Sequence, residues 1–251
     1  MGATSDKLYG LKPAKRLKKA LKNIQMHHCD SDFIVITGDM TNDGEVGAYK
    51  LLRKYIEGID IPVFPVMGNH DNRKAFWKIF PEWKEGEFLQ YAREVDGSVC
   101  LFLDTLVEGE EYGMLCDARL EWLEEKLEHY SDRRIYLFMH HHPIVSGLFR
   151  MDSVADFRST KAFWALLSHY KSVRHVFFGH VHRPIQAFHR GITLSSTRST
   201  TFQVSYLTDE KEESLTNTVQ PAYSIVKLNG KDTIIHLCEY LSEYGVSRIE
   251  G

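Results

Sequence analysis

Cysteine is scarce in this 251-residue chain, and Cys29, Cys100, Cys116 and Cys238 form no Cys-x-x-Cys pair. Their scatter excludes a zinc knuckle and a disulfide scaffold, so they read as reduced, small apolar fillers. No apolar run approaches the roughly 20 residues of a membrane span, and Met1 to Lys12 lacks the apolar core of a secretory signal. The expectation is a soluble cytoplasmic protein with no membrane partner. Excess charge is missing as well: a net charge of -3 gives no reason to expect nucleic acid. Neither His-Glu-x-x-His nor Gly-x-Ser-x-Gly occurs, which sets aside the common zinc protease and serine hydrolase chemistries. No repeat or linker divides the chain, and 43% hydrophobic with 26% charged residues suits one domain over 1–251.

The pattern of the remaining text is alternating helix and strand. Pro13 to about His28 carries Leu17, Leu21, Ile24 and His28 on one stripe among lysines, an amphipathic surface helix. Short β-branched runs at Phe33–Thr37 and Ile61–Met67 read as buried strands, each followed by a helix, near Gly44–Glu57 and Arg73–Phe80. Asp96-Gly97 between Phe88–Val95 and Ser98–Asp104 predicts a tight hairpin, so the sheet is mixed. Helices at Ala118–Tyr130 and Lys161–Tyr170 precede strands Ile135–Met139 and Val173–Phe178. Five short β-like pieces from Ile185 to Tyr240 suggest a second, antiparallel sheet, and Thr208–Gln220 reads as a polar loop over or beside the site.

Four strand ends carry the chemistry: Gly38-Asp39, Gly68-Asn69-His70-Asp71, His140-His141-His142-Pro143 and Gly179-His180-Val181-His182. The crevice beyond the strand ends is where open α/β sheets bind ligands. Imidazole, carboxylate and amide oxygen together suit a divalent transition metal of borderline softness, and Asp39, Asn69, His140, His180 and His182 offer that mixture. Isolated histidines such as His27, His129, His169, His175, His189 and His236 are read as ordinary core or surface residues. The triplet and the His-x-His are different, because buried imidazoles need partners. The glycines fit sharp exits from the strands, where a side chain would obstruct the turn or a ligand.

The order Gly-Asp, Gly-Asn-His-Asp, His, Gly-His-x-His resembles the calcineurin-like metallophosphoesterases. Together with Leu8-Tyr9-Gly10-Leu11 and His182-Arg183-Pro184, it is most similar to the bacterial branch of class III cyclic nucleotide phosphodiesterases and glycerophosphodiesterases. The resemblance implies an α/β fold, a four-layer α/β/β/α sandwich of two mixed sheets. It also implies a centre of two divalent transition metal ions, Fe, Mn, Zn or Co. By motif, Asp39 would bridge the ions, Asn69, His140 and His180 would complete one site, and His182 would bind the other. His70 would face the substrate phosphate as a catalytic group. Asp71 is either a support that orients His70 or a ligand, or a simple turn carboxylate. Within the triplet, His141 and His142 are left between pocket lining and packing.

The family pattern opens with a strand ending in Asp-x-His, which this chain does not contain. One ligand set is therefore complete and the other has only Asp39 and His182. A start placed too far downstream is the favoured expectation, with a one-metal protein or a non-catalytic binding module as the others, and the first strand is expected to be missing from the sheet. The implied activity is a phosphodiesterase hydrolysing a small diester, with phosphomonoesterase or nuclease as alternatives on the same centre. The expected partners are a small phosphoester substrate and a second copy of the chain joined through the C-terminal strands.

Overall fold

The computed structural model describes residues 7–206, 216–217 and 219–240. In chain order these form α1 (Pro13–His27), β1 (Ile34–Ile36), α2 (Val46–Ile56), β2 (Val63–Pro65) and α3 (Arg73–Ile79). There follow β3 (Tyr91–Val95), β4 (Ser98–Phe102), α4 (Asp117–His129), β5 (Arg134–Met139), α5 (Phe149–Ser153), α6 (Thr160–Leu167) and β6 (Val173–Phe178). The described residues end with β7 (Gln186–His189), β8 (Ile192–Ser196), β9 (Gln203–Val204), β10 (Thr216–Asn217), β11 (Ala222–Leu228) and β12 (Thr233–Glu239).

The largest sheet has six strands in the order β3-β4-β5-β6-β8-β7, parallel from β4 through β8 and antiparallel at both edges. Asp96 and Gly97 both take positive φ, 44° and 77°, as the expected tight hairpin between β3 and β4 requires. Side chains alternate across this sheet. Val99, Leu101, Ile135, Leu137 and Val176 pack with Leu123 and Leu127 of α4 and Phe163 of α6, while Cys100, Phe102, Tyr136, Phe138 and Phe177 join Tyr49, Leu52 and Phe76 in a second cluster. On that second face Tyr91, Phe102, Phe138 and Phe177 are register partners and stack at 4.5, 5.1 and 4.9 Å between successive ring centroids.

Two expectations need correction. The C-terminal pieces do not form one separate antiparallel sheet: β8 pairs in parallel with β6 and carries β7 on its outer edge, because its Ile192 and Leu194 complete the core under α6. The second mixed sheet is not continuous either. In its place stand β1-β2, parallel, and β11-β12, antiparallel, with no ladder between them. All three residues of β1 are accordingly only half-buried, where a buried strand was expected. Most of the expected loop at 208–220 lies outside the described residues, as does any test of the oligomer. Among the described residues no helix is long and apolar enough to cross a membrane.

Candidate metal centre

Parallel strands β1, β2, β5 and β6 all end at one rim, so Gly38, Gly68, His140 and Gly179 emerge side by side. The approach is so close that two of the glycines are obligatory. A Cβ on Gly38, which sits at φ +103°, would lie 2.2 Å from His140 Nδ1, and one on Gly68 would lie 2.2 Å from Asp39 Oδ1. Asp39, His180 and His182 themselves adopt left-handed backbone, at φ 52°, 65° and 49°. Three non-glycine residues held there in one rim mark strain that the surrounding structure maintains.

Three side chains meet His140. Its Nε2 lies 3.1 Å from Asn69 Oδ1, 3.1 Å from His180 Nδ1 and 3.4 Å from Asp39 Oδ1. Backbone carbonyls fix the ring tautomers, since a carbonyl only accepts. His140 Nδ1 donates to Thr37 O at 2.7 Å and His180 Nε2 donates to Ala155 O at 3.0 Å. Both facing nitrogens, His140 Nε2 and His180 Nδ1, therefore present lone pairs to each other and to two side-chain oxygens. Lone pairs converging in a buried place are stable only around a cation. Burial and neighbouring imidazoles push the His180 ring well below its ordinary titration range, so a proton is a poor candidate for that cation. The donor set fits a divalent transition metal.

His141 also lies in this cluster, and ligand atoms of His140, His141 and His180 fall within 4.8 Å of one another. Its ring is already committed, however: Nε2 donates to Glu111 O at 3.2 Å and Nδ1 accepts from Thr105 Oγ1 at 2.7 Å. The geometry thus favours Asn69 and Asp39 over His141 as companions of His140 and His180. His142 turns the other way, to Asp152 Oδ1 at 3.1 Å, and Asp152 also accepts from Ser146 N and Gly147 N.

Asp39 is half-buried, and desolvation alone would raise its carboxyl, but His140, His70 and His182 outweigh that effect and hold it below the usual range. His182 is kept neutral by burial, its pKa pushed down to about 4 despite the charge of Asp39, and its Nδ1 is buried without a partner. A buried imidazole nitrogen without a partner in that position is the second feature of the rim that calls for a ligand. His70 is exposed, and its Nδ1 donates to Asn42 O at 2.8 Å, which leaves Nε2 as the free nitrogen of the ring.

Asp71 makes the contacts of a turn carboxylate. It accepts from Gly68 N at 2.9 Å, Thr41 N at 3.1 Å, Met40 N at 3.2 Å and Tyr49 OH at 2.9 Å, and no described bond joins it to the His70 ring. Of the two readings of Asp71, these contacts favour the turn carboxylate over a support for the His70 ring, and they tie the loop after β1 to the loop after β2. Burial and the nearby Asp39 raise its carboxyl to about 6. Sequence reasoning did not find Arg73, whose guanidinium grips the fully buried Asp104 through two 2.7 Å bonds and so anchors the start of α3 behind the site. Nor did it find the orienting carbonyls of Thr37, Asn42 and Ala155, which carry no residue-type signal.

The pattern of the family described as calcineurin-like phosphoesterase matches residues 11–184. A protein of Rhodopseudomonas palustris described as a probable cyclic nucleotide phosphodiesterase is 34% identical, over 95% of this chain and 89% of that one. A probable glycerophosphodiester phosphodiesterase of Arcobacter nitrofigilis is 31% identical over 75% and 72%. The 3',5'-cyclic adenosine monophosphate phosphodiesterase of Escherichia coli K12 is 26% identical over 91% and 82%. Among solved structures, a dimetal phosphatase from Danio rerio shares the fold at a TM-score of 0.60 and 15% identity, covering 74% of this chain and 78% of that one.

Proposed function

Because the chain belongs to the calcineurin-like phosphoesterase family, we propose that it is a metal-dependent phosphodiesterase acting on a small diester of the cyclic nucleotide or glycerophosphodiester type. The observation that carries the reading is the convergence of Asp39, Asn69 and His180 on the lone pair of His140 Nε2. These four residues would hold one divalent transition metal, and Asp39 with His182 would offer two donors toward a second. When bound there, a metal would supply Lewis-acid charge to a phosphoryl oxygen and an activated water as nucleophile.

The chain's own groups do the remaining work. Thr37 and Ala155 carbonyls hold the two imidazoles in the metal-binding tautomer, an outer support of the kind that commonly sets metal affinity. His70 stands exposed at the rim with its Nδ1–H anchored by Asn42, so its Nε2 is the atom offered to a phosphate ester. When protonated there, the ring donates a hydrogen bond to a charged phosphoryl oxygen or a proton to the leaving alkoxide. The diester preference draws support from the relatives, whose descriptions all name phosphodiesterases.

The test compares rates on bis(p-nitrophenyl) phosphate, 3',5'-cyclic AMP, glycerophosphocholine and p-nitrophenyl phosphate with added Mn²⁺. Diester hydrolysis that falls at least about a hundredfold in Asn69→Ala and in His70→Ala is expected. Faster turnover of the monoester than of any diester would overturn the substrate class, and inertness of the metal-loaded protein on all four would overturn the activity.

A further inference from the structure

Ala155 O is the acceptor that holds His180, yet no helix or strand carries it: α5 stops at Ser153 and α6 starts at Thr160. A carbonyl has no side chain of its own, so its place depends on what fixes the neighbouring backbone. Gly113, buried in the loop between β4 and α4, does so from across the seam between two loops. It donates its N–H to Asp156 O at 2.8 Å and accepts from Arg158 N at 2.9 Å. The two bonds make a parallel bridge around Phe157, whose ring packs against Phe163 of α6 in the core. Asp156 O is one peptide from Ala155 O, so a shift of Gly113 reaches the anchor of His180 directly.

The other side of Gly113 meets His141. A Cβ at this position would lie 2.3 Å from both Cγ and Nδ1 of that ring, although the backbone of Gly113 is not in the left-handed region that favours glycine. Room, not conformation, is what the glycine supplies. His141 has little freedom to yield: it is fully buried, with Nδ1 on Thr105 Oγ1 at 2.7 Å and Nε2 on Glu111 O at 3.2 Å. Thr105 is fixed in turn, because the buried Arg119 guanidinium donates to the carbonyls on either side of it, Asp104 O at 2.8 Å and Leu106 O at 3.0 Å. Ser159 Oγ closes the far end of the seam, accepting from Leu115 N and donating to Leu115 O at 3.0 Å. The Glu111–Arg150 ion pair also spans the two loops, but both partners are half-exposed and such pairs contribute little.

We propose that Gly113 is a positioning residue of the metal centre, a role that rests on the metal-binding reading of His180 given above. Wedged between the fixed His141 ring and residues 155–158, it sets how closely the Ala155 carbonyl approaches His180 Nε2. That contact in turn sets how firmly His180 Nδ1 is aimed at His140 Nε2. Removing an outer partner of a ligating imidazole commonly costs about 10–100-fold in metal affinity. A methyl group at position 113 pushes the bridge outward, because the ring behind it is held, and the same movement withdraws the carbonyl.

Four forms of the full chain decide it: the parent, Gly113→Ala, Ser159→Ala as a milder cut at the same seam, and Leu127→Ala as a cavity in the core under α4. Metal-free samples are read by heteronuclear NMR for the His180 Nε2–H, identified by its loss in His180→Gln. Chelator-stripped samples are titrated with Mn²⁺ below the melting temperature of every variant. Gly113→Ala is expected to speed solvent exchange of the His180 imidazole proton and to weaken Mn²⁺ binding, each about tenfold or more. Ser159→Ala is expected to do both about threefold, and Leu127→Ala to lower the melting temperature with neither change. Affinity and proton exchange within about twofold of the parent in both loop variants would overturn the positioning role. Equal losses in Leu127→Ala would overturn it too, since general loosening would then account for them. If Gly113→Ala does not fold, Ser159→Ala decides alone. A parent chain that binds no Mn²⁺ would instead overturn the metal reading, and the imidazole proton would still decide whether Gly113 holds His180 in place.

Discussion

Replacing Asp71 by Asn separates a support role from a chemical one. The carboxylate spends Oδ1 on Thr41 N and Tyr49 OH, and Oδ2 on Gly68 N and Met40 N, at 2.9 to 3.2 Å. An Asn that keeps the first pair turns its NH₂ group toward two backbone N–H donors, so Gly68 and Met40 each lose an acceptor. A buried donor left without a partner costs about 1–3 kcal/mol, giving a total of about 2–6 kcal/mol. Urea unfolding at pH 8, where the native carboxyl is ionised on the alkaline side of its raised pKa of about 6, measures that loss directly. The same loosening lets the Gly38-Asp39 and Gly68-Asn69 loops drift apart, so metal affinity falls by about 10–100-fold while turnover recovers at saturating metal. A variant within about 0.5 kcal/mol of the parent that has nonetheless lost turnover at saturating metal would refute the support role.

Gly68→Ala tests the close approach at the rim. With its Cβ 2.2 Å from Asp39 Oδ1 and 2.3 Å from Asp39 N, the backbone must move, and a stability loss of about 1–3 kcal/mol with weakened Mn²⁺ binding is expected by thermal shift and calorimetry. Unchanged metal affinity would show that Asp39 is not held where the structure puts it. His175, far along β6 from the rim, gives a pH signature: it is buried, bonded to Ser195 Oγ at 2.8 Å, and pushed down to about 4 by burial. Between pH 6.5 and 4 the unfolded chain takes up a proton that the folded chain refuses. Stability is therefore complete above pH 6.5 and falls by up to about 3 kcal/mol as the pH drops to 4. In His175→Gln that slope flattens, which urea titrations across the window would detect, and an identical slope in both proteins would exclude His175 as its source.

The rim was legible in the sequence because glycine and ligand types are concentrated where apolar runs stop. Gly38-Asp39, Gly68-Asn69 and Gly179-His180 all emerge at one place, and Asp39, Asn69 and His180 do converge on His140. What residue types cannot express is direction. His140, His141 and His142 are indistinguishable as letters, yet Thr37, Thr105 with Glu111, and Asp152 claim four different nitrogens and give the three rings separate fates. Asp71 was ambiguous for the same reason, since its partners are backbone amides. The hairpin at Asp96-Gly97 was readable from a local rule, whereas the pairing of β8 with β6 depends on contacts between distant segments. The break between β1 and β11 follows from the same non-local pairing, although the low burial of β1 now makes it plain.

The central claim is that Asp39, Asn69, His140 and His180 bind a divalent metal that phosphodiester hydrolysis requires. Manganese titrated into chelator-stripped protein, with bound ion per chain and bis(p-nitrophenyl) phosphate hydrolysis read on the same samples, tests it most directly. The account predicts that rate rises in step with bound metal, and that Asn69→Ala loses both together while His27→Ala loses neither. Full hydrolysis by metal-free protein, or unchanged binding and rate in Asn69→Ala, would contradict it.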